Sequence, residues 1–262
     1  AILSPFAPFL DAGRFDRIVF STDVLDEKDA VMQASWVRWF SVPGLFLLLL
    51  LVVACSPPTP TQATVDRSRP KLSLTGLYND ISTGELADGV TFYQPQYPLW
   101  SDGTTKKRWI LLPDDEQIDT SKMDNWQFPV GTKIWKEFSK DGKKLETRLM
   151  ERVGGGPWDW VMVSYVWDAS GKDAQRALIG QTDIHGTTYD APHAGYCTSC
   201  HGGRSSRVLG FSALQLSHDK KGMTLKSLIA DKLLTDPPKG NFTVPGDATQ
   251  KAALGYLHSN CG

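Results

Sequence analysis

An α+β fold, with an antiparallel β-sandwich-like domain followed by a mainly helical segment, is predicted by three features of the sequence. Between Leu72 and Ile184, short apolar runs with strand-like alternation are separated by turn residues. After His201 the apolar residues recur at helical spacing. Ahead of both lies a polar, proline-rich stretch that separates them from an apolar run of different character. With 262 residues, 41% apolar and 22% charged, the chain can bury a normal core and suggests one to two domains. A net charge of -1 without a basic run argues against a nucleic-acid partner. Four cysteines, at positions 55, 197, 200 and 261, are too few for a disulfide scaffold of this size.

Residues 1–31 begin with Ala1 and are mildly acidic, and they are expected to be an upstream translation artefact if Met32 is the true start. Residues 32–54 contain Arg38 and then the run Leu45 to Ala54, about half of the roughly 20 apolar residues that a membrane span needs. That length fits the apolar region of a secretory signal. Val52-Val53-Ala54-Cys55 resembles the lipobox of bacterial lipoproteins, which implies cleavage before Cys55 and its lipidation. A buried core helix with a free thiol is the alternative. Residues 55–70 follow as a Pro-rich tether able to reach ~40 Å. By the same resemblance, Ser56 after the cysteine favours the outer membrane.

The β-rich domain is expected over 71–190. Lys107 to Leu112, closed by Pro113, reads as a strand, as does Thr132 to Phe138. Asp141-Gly142 marks a turn, and Leu145, Thr147 and Leu149 alternate with Glu146, Arg148 and Met150 on the returning strand. Trp160 to Trp167 is apolar on both faces and reads as a central strand. Tryptophans from Trp100 to Trp167, including the pair in Trp158-Asp159-Trp160, are expected in the core rather than as a sugar-stacking surface. Asp114, Asp115 and Glu116 read as a charged turn.

In the segment 191–262, Met223 to Leu234 has helical spacing and ends at Pro237-Pro238. Asp247 is the expected N-cap of a last helix with Ala253, Leu254 and Leu257 as its apolar stripe.

Chemistry concentrates in Cys197-Thr198-Ser199-Cys200-His201. Two thiols three positions apart can each add across a haem vinyl group, and the adjacent imidazole can ligate the iron, so the pattern predicts covalent haem c. A redox dithiol and half of a zinc site use the same residues. The export signal favours haem, because c-type maturation belongs to the compartment it implies. Gly202-Gly203 lets the backbone approach a flat macrocycle.

Tyr97-Pro98-Leu99-Trp100-Ser101-Asp102-Gly103, Lys107-Arg108-Trp109-Ile110, Phe128-Pro129-Val130-Gly131-Thr132, the C-x-x-C-H motif, Leu209 to Ser217 and Leu254 to Cys261 together resemble a family of exported bacterial c-type cytochromes, often lipoproteins. The resemblance implies haem c, electron transfer and a second attachment motif. The chain holds only Asn260-Cys261-Gly262 where such a motif would begin, so Cys261 is expected to open a second haem site in a longer di-haem protein. Phe-Pro-x-Gly-Thr with a late C-x-x-C-H is also similar to the cytochrome c′-beta type. That similarity implies a distal face drawn from the sheet, with Trp135, Phe138 or Met162 lining it and Lys136 nearby.

His201 is thus the expected proximal ligand, with Cys197 and Cys200 as the thioether attachments and Met223 as a candidate distal ligand. His185, His193, His218 and His258 are further histidines to place. The predicted function is that of a lipid-anchored cytochrome passing electrons between periplasmic redox partner proteins at a membrane face. A peroxidase or gas-binding protein with an open distal site, and a glycan-binding or structural lipoprotein with accessory haem, are the alternatives.

Overall fold

The computed structural model describes residues 69–260. The signal expected at 32–54, Cys55, the 55–70 tether except its last two residues, and Cys261 lie outside the described residues. Asp141 and Gly142 have φ of 50° and 77°, the left-handed pair whose twist matches a two-residue hairpin. They join β5 (Lys133–Lys140) to β6 (Lys143–Arg152), as the sequence predicts. The chain meanders around this hairpin. β3 (Thr91–Tyr93), β4 (Thr105–Leu111), β5, β6, β7 (Trp160–Trp167) and β8 (Ala174–Arg176) lie in sequence order in one six-stranded antiparallel sheet. β7 is buried along its whole length, as its two apolar faces require.

The β-rich class with antiparallel strands and few helices holds, but among the described residues there is no second large sheet. Residues 72–90 supply only the 3-10 turn Leu72–Leu74 and a two-stranded ribbon, β1 (Tyr78–Asp80) and β2 (Glu85–Leu86), whose pairing is already irregular between Tyr78 and Asp80. This small layer covers the sheet because the sheet itself presents large side chains there. Trp109, Trp135, Leu149, Val161, Val163, Tyr165 and Trp167 pack with Leu72, Leu77 and Tyr78. Trp135 is 0% exposed, and its indole donates to Thr75 Oγ1 at 3.1 Å.

Alternation sends the other half of each strand to the opposite face. There Ile110, Ile134, Met150, Trp160 and Met162 pack with Tyr93, Trp126 and Phe128 and with Val208, Phe211, Leu216, Met223, Leu225 and Leu228. The segments 71–190 and 191–262 therefore share one apolar cluster.

Four helices occur among the described residues: α1 (Cys197–His201), α2 (Ala213–Leu216), α3 (Leu225–Ala230) and α4 (Ala248–Asn260). The helix expected over Met223 to Leu234 is shortened at both ends. Thr224 starts it in a capping box with Ser227. Lys232 takes a left-handed φ of 56°, and the strand-like bonds Ile118 N–H to Leu233 O (2.9 Å) and Thr235 N–H to Ile118 O (3.1 Å) replace a further turn. Asp247 caps α4 as expected, exchanging hydrogen bonds with Gln250 at 2.9 Å each. The expected stripe of Ala253, Leu254 and Leu257 faces outward instead. α4 packs through Gly255, where the ring of Tyr97 leaves no room for a Cβ, because close backbone approach outweighs the apolar count on the other face.

Trp135→Ala is expected to destabilise the fold by about 3–5 kcal/mol, read as a lower denaturant midpoint with an unchanged slope.

Candidate functional site

His193 starts the local structure: its Nδ1 accepts the Gly195 N–H at 2.9 Å and opens the 3-10 turn Ala194–Tyr196, which runs directly into α1. A single helical turn sets residues i, i+3 and i+4 on one side. Cys197, Cys200 and His201 accordingly share the wall of a cavity of about 910 Å³, near the top of the range of roughly 300–1,000 Å³ that holds small ligands and cofactors. Both thiols are free, Cys197 half-buried and Cys200 exposed. Burial pushes the Cys197 thiol pKa up.

His201 Nδ1 lies 2.6 Å from the carbonyl oxygen of Arg207. A carbonyl only accepts, so Nδ1 carries the proton and Nε2 keeps its lone pair. Burial holds the imidazole pKa below its usual range, with the positive charges of Lys136 and Arg148 acting in the same direction.

Arg207 fixes that carbonyl with a left-handed φ of 59°. Its guanidinium donates to Pro157 O (2.9 Å), His201 O (3.3 Å) and Gly202 O and lies 3.4 Å over the ring of Trp158. Trp158, 64% exposed, thus covers a buried arginine. Nothing in the sequence separates Arg207 from the other arginines, since its role depends on a loop 50 residues away.

The sheet forms the cavity floor in two rows of paired residues. Ile134, Met150 and Met162 stand opposite one another on β5, β6 and β7, and all three line the cavity. The next row, Arg108, Lys136, Arg148 and Ser164 on β4 to β7, lines it as well. Arg148 is set by Glu146, which is 0% exposed and accepts from Arg148 Nε (2.9 Å) and Nη2 (3.0 Å), Ser164 Oγ (2.5 Å) and Tyr189 Oη (2.5 Å). Burial and the Glu146 charge push the Tyr189 pKa up. For Lys136, burial comes first, followed by Arg108, Arg148 and Lys106, and together they hold the amine well below its ordinary range.

Several expected residues stand elsewhere. Met223 is in the apolar cluster, its N–H bonded to Phe92 O at 2.8 Å, and is not among the cavity-lining residues. Trp135 is on the opposite face of the sheet, because β5 alternates. Phe138 shares the face of Lys136 but packs on Tyr189, 5.5 Å away, outside the lining. His218 is tied to the backbone, with Nε2 2.7 Å from Gln94 O and Nδ1 accepting the Lys220 N–H. His185 sits in the turn Ile184–Gly186, away from the cavity. Met162 and Lys136 do line it, and His258 reaches it from α4.

Among the described residues no group of three or more His, Cys, Asp or Glu side chains is arranged to hold a metal ion. Comparison with protein-family models, curated proteins and solved structures gives no match to this chain.

Glu146→Gln leaves Arg148, whose side chain is 33% exposed, without its counter-charge. A stability loss of about 1–3 kcal/mol is expected, measured by urea unfolding.

Proposed function

We propose that this chain is a c-type cytochrome that binds haem covalently through Cys197 and Cys200, with His201 on the iron. The observation that carries this reading is the C-x-x-C-H motif on the cavity wall, with His201 Nδ1 bonded to the Arg207 carbonyl. A backbone acceptor on one ring nitrogen orients a histidine ligand and leaves the other nitrogen as the donor to a metal. The remaining walls suit a flat, largely apolar group with polar edges. Tyr93, Ile134, Met150, Met162, Val208 and Phe211 supply apolar surface, and the floor supplies cations. The zinc alternative wants four ligands, and the described residues offer the motif no cluster to complete such a set.

Haem bound here would supply one-electron redox chemistry. The chain's part is to hold it, to keep water from most of its surface and to fix the imidazole. Exposure of Cys200 puts the attachment site at the protein surface, which favours exchange of electrons with partner proteins. Met150 and Met162, unlike Met223, line the cavity, and either would offer a thioether to a haem held there. Export, lipidation at Cys55 and residence on the periplasmic face of an outer membrane complete the proposal. Its partners are periplasmic redox proteins and the lipid bilayer.

A second reading, an open distal site that binds a small ligand, draws support from one observation: charged residues rather than a closed apolar layer occupy part of the floor.

Full-length protein made with c-type maturation machinery is expected to retain haem after denaturation, detected by peroxidase staining of a gel. Cys197→Ser with Cys200→Ser is expected to abolish the stain. Staining of the double variant, or none in the natural sequence, would remove the proposal.

A further inference from the structure

Attachment of haem does not account for the charged row of the floor. Arg108, Lys136 and Arg148 stand directly opposite one another on three neighbouring strands. Like charges so placed repel, and these lie within a cavity, where an uncompensated charge costs far more than in water. Glu146 answers Arg148. Arg108, 6% exposed, and Lys136 have no such partner: among the described residues neither side chain makes a hydrogen bond or an ion pair, and the ammonium of Lys136 lies 4.9 Å from the ring centroid of Phe138. The carboxylates on the cavity wall, Asp124 and Asp190, are exposed. A fourth basic residue of the same face, Lys106, adds to the positive field, with its Nζ bonded to Thr104 O at 2.9 Å.

We propose that Arg108, Lys136 and Arg148 form a receptor for an oxyanion on the floor of the cavity that His201 lines. Two guanidinium groups flank the Lys136 amine, whose protonated form a bound anion would favour, across roughly 10 Å at the ordinary spacing of adjacent strands. Guanidinium forks match planar and tetrahedral oxyanions, and the central ammonium adds an adaptable donor. Glu146 positions Arg148, and its charge also acts on Lys136, so one carboxylate faces three basic side chains. The oxyanion has two possible sources with the same chemistry: a free inorganic anion, or the propionate carboxylates of bound haem. Only the placement of the anion beside an iron rests on the haem reading; the receptor stands on the row itself.

The test uses the full chain, made with and without c-type maturation, beside the variants Lys136→Leu and Arg108→Leu. Sulfate is titrated into the haem-free chain by calorimetry, and nitrite into the oxidised haem-loaded chain by its optical spectrum. Each substitution is expected to weaken anion binding roughly tenfold to a hundredfold, the scale of a lost charge-assisted hydrogen bond. Each is also expected to keep or raise the thermal midpoint, because an unpaired cation leaves the interior. Row-dependent binding of both sulfate and nitrite assigns the site to a free anion. Row-dependent sulfate binding that haem loading abolishes, with a lower yield of covalent haem in both variants, assigns it to the propionates. Sulfate binding in a chain that never acquires haem keeps the receptor and removes the haem. No anion binding by the natural sequence, or binding undiminished in both variants, overturns the receptor.

Discussion

The alternation of side chains along β5, β6 and β7 is the constraint on which the remaining structure depends. On each strand, one residue enters an aromatic core and the next faces the cavity. A one-residue slip would exchange the faces, placing Lys136 against Trp109 and Trp167 and turning Trp135 toward the motif. The aromatic face prevents this. Trp135 is fixed by Thr75, and Trp167 donates to Thr147 Oγ1 at 2.9 Å, so register is held by hydrogen bonds as well as by burial. The charged row is consequently held by an apolar core on the far side of the same sheet.

Much of this was legible. Asp141-Gly142 and the flanking alternation specify the central hairpin, and the two apolar faces of Trp160 to Trp167 identify an interior strand, because both signals are local. The second layer was not legible as a ribbon: Leu72, Leu77 and Tyr78 have the composition of any buried segment, and only their meeting with Trp109 and Trp135 shows how little cover that face needs. The same holds for Leu233 and Leu234, whose helical spacing yields to bonds with Ile118, distant in sequence. In the site, the motif residues could be read directly. Arg207, Glu146 and the pairing of Arg108 with Lys136 and Arg148 could not, since each depends on register or on a loop contact that the residue types leave open.

Two electrostatic arrangements meet in the cavity. On one wall a histidine is oriented by a backbone carbonyl, and burial lowers its pKa. On the floor, cations gather, and among the described residues Glu146 pairs with Arg148. Apolar residues, among them Met150, Met162 and Phe211, line the same cavity. In the proposed reading the oriented imidazole serves the cofactor and the charged row an anion, whereas a dithiol acting alone would use neither.

The most direct test of this account is a crystal structure of the full-length protein produced with c-type maturation. The account predicts a macrocycle within the cavity, thioether bonds to Cys197 and Cys200, and the iron on Nε2 of His201 while Nδ1 keeps its bond to Arg207. Free or disulfide-linked cysteines beside a solvent-filled cavity, or His201 turned away with both ring nitrogens bonded to protein, would contradict it.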